Sequence, residues 1–222
     1  MITRTPEPSP LSRLDTTPDL DESIAWLRLG KAEIPPRKLA ALCSACDDDP
    51  RKVMDANEAS WLRAGLTQAQ ADRLRDCAHT DMSKDLATID RLRIALLPIT
   101  DARYPQRLKS LSDAPILLYV RGSLVPDDQF SVAIVGSRRA TAYGHSIADR
   151  FARELCAYGL CIVSGGARGV DTFAHRGALS AGGRTLAIVG CGLDVAYPAE
   201  NRKLYADIVA TGQGAIVSEY PI

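Results

Sequence analysis

Ser131-Val132-Ala133-Ile134-Val135-Gly136-Ser137-Arg138 decides the fold of this 222-residue chain. A continuous apolar run reads as a buried strand. The glycine, serine and arginine that close it stand where a strand turns into a helix. The arrangement recurs at Leu160-Cys161-Ile162-Val163-Ser164-Gly165-Gly166-Ala167-Arg168-Gly169-Val170-Asp171. Two more apolar runs follow, Leu186-Ala187-Ile188-Val189 and Ala215-Ile216-Val217, with helical patterns between them. Ile147, Phe151, Leu155 and Tyr158, spaced 4, 4 and 3, form one predicted core-facing helical stripe, ended by Gly159. A helix through Phe173 and Leu179 stops at Gly182-Gly183, and another through Leu204, Ile208 and Val209 leads to Gly212. This alternation predicts an α/β fold with a parallel sheet covered by helices on both faces. Ligands in such folds sit at the carboxyl ends of the strands, where Gly136, Gly165, Gly190 and Glu219 all fall.

Working outward, Pro115 introduces a strand at Ile116-Leu117-Leu118-Tyr119-Val120 that ends at Gly122, preceded by a short apolar run over 94–99. Residues 19–88 read as a small all-α domain. Its first helix carries Ile24, Leu27 and Leu29 and stops at Gly30, Pro35-Pro36 opens the second, and Pro50 suits the first turn of the third. Thr67 caps a helix through Ala71, Leu74 and Cys77. Residues 1–18, with Pro6, Pro8, Pro10 and Pro18, read as a flexible lead-in. The expected organisation is therefore 1–18, 19–88 and 89–222.

The formal net charge is zero, so no global basic field advertises a polyanionic partner. Residues 89–222 carry 15 Lys+Arg against 12 Asp+Glu, which leaves room for a local arginine patch. Cys43 and Cys46 have CxxC spacing, but no second pair accompanies them. They read as helix-core thiols, with no metal expected. No signal peptide is apparent, which predicts a reducing, cytoplasmic setting. No apolar run approaches the ~20 residues of a membrane span.

Backbone N–H groups at helix N-termini, together with arginines, make the two glycine loops candidate phosphate sites. The familiar cradles are absent. There is no GxxxxGK[ST], and Val195 occupies the third position of a would-be GxGxxG begun by Gly190 and Gly192. Ser137, Thr141, Arg138 and Arg139 furnish the first loop, and Arg168 the second. Asp171 either caps the helix it begins or faces the ligand. His175, one turn on, reads as packing or surface, since neither a positioned acid nor a nucleophile accompanies it. Tyr197 is either a core tyrosine or an exposed ring on which a base can stack. Arg202 and Lys203 extend the basic rim. On these residues alone the ligand is a nucleotide or a nucleic acid.

Taken together the motifs resemble the DprA/Smf family, the DNA-processing proteins of natural transformation. The matching pieces are Ala133-Ile134-Val135-Gly136-Ser137-Arg138 with Tyr143-Gly144, then Val163 to Asp171 with Ala174-His175. They continue with Gly190-Cys191-Gly192-Leu193-Asp194, Tyr197-Pro198 and Asn201, and end with Ser218-Glu219-Tyr220-Pro221. The similarity covers roughly 94–222, and the helical region resembles the sterile-alpha-motif-like domain of many members. The resemblance implies a Rossmann-like domain that binds single-stranded DNA without an enzymatic step or cofactor, works as a homodimer and loads the RecA recombinase. Carried over, Gly136, Ser137, Arg138, Arg139 and Thr141 would hold backbone phosphates, with Arg138 the principal grip. Gly165, Gly166, Ala167, Arg168, Gly169 and Asp171 would line the same pocket, and Tyr197, Asn201, Arg202 and Lys203 would flank it.

Two departures stand out. Many relatives have a basic residue after Tyr-Pro, whereas here it is Ala199. Relatives also continue well past the position of Ile222, so a sheet ending at Val217 is expected to expose an apolar edge that another chain covers, or else to be poorly soluble. Two other readings compete. A nucleotide phosphoribohydrolase of the lysine-decarboxylase-like group would carry PGGxGTxxE, and residues 165–169 lack its proline and glutamate. A purely structural interaction module would use the helical domain instead.

Overall fold

The computed structural model describes residues 19–222, so the predicted lead-in lies outside the described residues. The N-terminal part is a bundle of short helices: α1 (Leu20–Lys31), α2 (Pro36–Ala45), α3 (Pro50–Asp55), α4 (Glu58–Arg63), α5 (Gln68–Ala78) and α6 (Ser83–Leu92). Polar caps start several of them. The Asp19 carboxylate accepts from the Glu22 amide, and Thr67 and Gln70 form a reciprocal capping box on α5. Trp26, Leu27, Leu29, Leu42, Val53 and Leu74 are all buried, each contributing about 1.5–3 kcal/mol on transfer from water. The Trp61 indole donates to the Val53 carbonyl at 2.9 Å, so its one polar atom is satisfied inside the bundle. Gly30 does not stop α1, which runs one residue further; the glycine packs against the Tyr119 hydroxyl instead. α6 was not legible as a helix. It runs across residue 88 and hands the chain directly to the first strand.

Six strands follow: β1 (Ile94–Pro98), β2 (Leu117–Gly122), β3 (Ser131–Ala133), β4 (Cys161–Ser164), β5 (Thr185–Ile188) and β6 (Gly214–Ser218). They form one sheet in the order β1-β2-β6-β5-β4-β3. The four strands β3 to β6 are parallel, as the alternation predicts, with pairs such as Val163↔Leu186 and Ala187↔Ile216. The sheet as a whole is mixed. β2 pairs antiparallel with β6 through Tyr119↔Ser218 and Val120↔Val217, and β1 pairs antiparallel with β2. This corrects the expected exposed edge at Val217. That strand lies inside the sheet, because the hairpin-like β1–β2 pair closes its free side. The short strand β3 is the edge on the parallel side.

The expectation of helices on both faces holds only in part: the three crossover helices share one face, and a short helical turn lies on the other. α8 (Ala142–Ala157), α9 (Val170–Ser180) and α10 (Arg202–Ala210) connect β3 to β4, β4 to β5 and β5 to β6. Each step moves one strand in the same direction, and right-handed crossovers then put every helix on the same face. Accordingly Ala152, Ala174 and Ala178 pack on Ile162, while Leu204, Tyr205 and Ile208 join Ala187 and Ile216. The N-terminal bundle shares that second cluster, with Trp26, Leu74, Leu117 and Tyr119, so bundle and sheet have a continuous core. The opposite face is covered over β1, β2 and β6 by Tyr104 and Leu108 from the segment carrying α7 (Gln106–Lys109), and by Leu124 from the link after β2. Toward the carboxyl ends of β3 and β5 this face is open: Val135 is 69% exposed and Ile188 45%.

The predicted stripe on α8 turns out not to be the buried one. Phe151 and Tyr158 are 48% and 84% exposed, whereas Ala148 and Ala152 face inward. Gly177 of α9 lies directly against the backbone of Asp149, so the two helices approach too closely for large side chains between them. No described helix is long and apolar enough to cross a membrane.

Candidate nucleic-acid interface

The two glycine loops meet. The Val170 amide donates to the Ser137 carbonyl at 3.2 Å, joining the start of α9 to the loop after β3. Gly169 makes this possible. Its backbone (φ 77°, ψ −129°) is in a region open essentially to glycine, and a Cβ there would collide with the Ser137 carbonyl oxygen. A Cβ on Gly136 would in turn meet the Val170 side chain. Both loops therefore depend on the absence of side chains at their contact.

In the first loop the Ser137 hydroxyl accepts from the Arg139 amide at 3.1 Å, and Thr141 caps α8 by accepting from Gly144 at 3.2 Å. These hydroxyls set the turn. The amides of Ala142 and Tyr143, in the first turn of α8, have no intrahelical carbonyl to bond, and the dipole of this 16-residue helix favours an anion beside them. The Arg138 and Arg139 side chains are exposed, and neither guanidinium has a hydrogen-bond or ion-pair partner among the described residues. Two uncommitted cations thus stand beside uncommitted amides at the end of β3.

The second loop is held from below. The Asp171 carboxylate, in the first turn of α9, is buried and accepts from the Ala167 amide at 3.2 Å, so it fastens the loop to the helix and does not cap α9, whose N-cap is Gly169. Asn201, also buried, donates to the Gly166 carbonyl at 2.9 Å and to Thr172 Oγ1 at 2.8 Å. The Tyr205 hydroxyl lies 2.9 Å from the Gly166 carbonyl and 2.8 Å from that of Tyr197, tying the second loop to the 190–198 loop. Burial pushes the Tyr205 phenol up to about 12, so it remains a neutral donor. Gly165, Gly166 and Ala167 thus form a rigid strip rather than a free cradle. Tyr205 was missed by the sequence reading. Its position four residues after Asn201, the residue that precedes α10, was the available signal.

The remaining predicted residues fall into two groups. Tyr197 is 55% exposed beside the loop that Tyr205 anchors. Arg168 reaches Glu200, with Nε at 3.0 Å and Nη2 at 2.7 Å from one carboxylate oxygen. Lys203 pairs along α10 with Asp207 at 2.7 Å. Arg202 lines a small cleft with Arg121, Leu193, Tyr205 and Ile216 on the helix-bearing face, away from the contact between the first two loops. His175 is fully buried between α9 and the sheet, its Nδ1 2.7 Å from Thr185 Oγ1, and burial lowers its pKa to about 4. Of the two sequence readings, packing or surface, this position is a packing one. Cys43 is a buried thiol pushed up to about 12 by burial, as suits a core residue, and all six cysteines are free. Among the described residues no cluster of His, Cys, Asp or Glu could hold a metal ion.

The fold and site define the class: an α/β protein in which two glycine loops, open helix N-terminal amides and exposed arginines meet at the carboxyl ends of parallel strands. The particular family is fixed by comparison. A sequence model described as DNA recombination-mediator protein A matches residues 95–222, and the chain belongs to that family. It is 34% identical over 160 residues to protein Smf of Escherichia coli, covering 72% of this chain and 42% of that one. Over 137 residues it is 36% identical to the DNA processing protein DprA of Bacillus subtilis, covering 61% and 46%. The X-ray structure of DNA processing protein A from Streptococcus pneumoniae superposes with a TM-score of 0.70 at 27% identity, over 89% of this chain and 68% of that one. The chain spans less than half the length of these two curated relatives.

Proposed function

We propose that this protein is a single-strand DNA-binding recombination mediator that grips the strand backbone along the rim formed by residues 136–141 and 165–169. The reading rests on one juxtaposition: the unpaired Arg138 and Arg139 beside the open amides of α8, in contact with the second glycine loop. Phosphate contacts of this kind bind all sequences alike, and Tyr197 adds a base-stacking surface. Arg138 is the principal grip and Arg139 the second. Asn201 and Asp171 act by shaping the second loop. Membership of the recombination-mediator family supports two further parts of the proposal, that two copies act together and that the bound strand is passed to RecA.

The test is fluorescence anisotropy with a labelled oligothymidine at two salt concentrations. Affinity should fall steeply with salt. Arg138→Ala should weaken binding about tenfold or more for every sequence and reduce the salt slope by about 0.7, the value of one single-strand phosphate contact. Unchanged affinity in Arg138→Ala would show that the strand binds elsewhere.

A further inference from the structure

The two loops differ in one respect that bears on how tightly they hold a phosphate. In the first loop both guanidiniums are uncommitted. In the second, Arg168 already grips a carboxylate: its Nε and Nη2 both point at Glu200 Oε1. Glu200 comes from a one-turn helix, Ala199–Asn201, that follows Pro198. Its neighbour Asn201 is fastened to the Gly166 carbonyl and Thr172, so the Glu200 backbone is fixed relative to the loop that carries Arg168. Both side chains are more than half exposed, at 57% and 61%, so solvent and ligand reach the pair freely. A backbone hydrogen bond and the Arg168 guanidinium hold the Glu200 carboxyl below the usual range, leaving it ionised at neutral pH. The one carboxylate of the second loop itself, Asp171, is buried and spent on the Ala167 amide.

We propose that Glu200 limits the affinity of the rim: its carboxylate occupies Arg168 as an internal competitor, which a strand phosphate must displace. This rests on the strand-binding reading above and adds a residue that weakens the grip. A carboxylate and a phosphodiester each carry one negative charge and both fit a guanidinium fork. An exposed ion pair is weakly held, so a phosphate can take its place. Arg168 and Glu200 then nearly cancel in the field that a strand meets, and the first loop supplies most of the attraction. A protein that must release its strand to another gains from such a ceiling.

The experiment uses the full chain and the labelled oligothymidine, with Glu200→Gln, Arg168→Ala and the double variant. Glu154→Gln serves as a control, because Glu154 is an exposed carboxylate paired with Arg150 within α8. Glu200→Gln should bind about three- to tenfold more tightly, since it removes one repelling charge and frees one cation at contact distance. Arg168→Ala should bind more weakly, because it leaves the carboxylate bare. The double variant should return close to the parent, and Glu154→Gln should match the parent. Thermal unfolding midpoints should be unchanged throughout. If Glu200→Gln binds as the parent does, or more weakly, the proposal is overturned; a parallel loss of thermal stability would make Glu200 a positioning residue for the loop. A strand that binds, and whose binding is lost in Arg138→Ala, keeps the functional reading intact even then. A strand that does not bind at all sinks both.

Discussion

Gly169 is the point at which the two loops can be separated by one methyl group. In Gly169→Ala the new Cβ lies well inside 3.0 Å of the Ser137 carbonyl oxygen and touches the Arg138 backbone. Backbone cannot yield as a side-chain tip does, so the Ser137 carbonyl must swing away and its bond from the Val170 amide is lost. That bond is worth about 0.5–1.5 kcal/mol. Holding a non-glycine residue in this conformation costs a further ~1–3 kcal/mol. Together they predict a loss of about 2–4 kcal/mol, with Arg138 carried away from the second loop. Gly159→Ala is the matched control. It has the same sign and nearly the same φ (78°), yet no atom lies within 4 Å of its Cβ and it stands at the far end of α8. It should cost about 1 kcal/mol or slightly more and leave DNA binding untouched. Urea unfolding midpoints and oligothymidine anisotropy on both variants separate the effects. Gly169→Ala should lose at least tenfold in affinity at denaturant concentrations where it remains folded. If it binds as the parent does, and is no less stable than Gly159→Ala, then contact between the loops does not hold the interface together.

Other outcomes follow from the same geometry. Asn201→Ala removes one of the two donors to the Gly166 carbonyl, the other being the Tyr205 hydroxyl, and takes a partner from the buried Thr172 hydroxyl. It should lower stability by about 1–3 kcal/mol and weaken oligothymidine binding, both measurable on one preparation. Conversely, Asn201→Ala with unchanged affinity would make the second loop self-supporting. His175 supplies a pH signature. Its folded pKa of about 4 lies below the usual 6.5, so between those values the unfolded chain binds the extra proton. Stability should therefore fall as pH drops from about 6.5 to about 4, by about 3 kcal/mol in all. A urea-unfolding series over that range should show the slope, and His175→Phe should flatten it.

Much of this molecule was legible in the sequence because the relevant signals are local. Continuous apolar runs and glycine stops give strands β4, β5 and β6 to within a residue or so. They also put Gly136 and Gly165 at strand carboxyl ends, since backbone direction alone decides which end of a parallel strand faces the ligand. What resisted was every question of neighbours. Helical periodicity drew the large residues of α8 into a core-facing stripe. Only the close packing of α8 on α9 shows that Ala148 and Ala152 take that place, because depth of burial is set by the partner helix and not by spacing. Nor does local pattern reveal that β2 lies beside β6, since pairing joins residues almost a hundred positions apart. The same holds for Arg168 and Glu200, 32 positions apart: Arg168 reads as a ligand-facing cation, and only the one-turn helix folded against the second loop shows that Glu200 already answers it. The sequence by itself determined which residues turn a strand into a helix and carry charge there. Only the tertiary structure decided which of those charges are free and which are already answered, because an ion pair depends on distance in space, and linear spacing does not encode it.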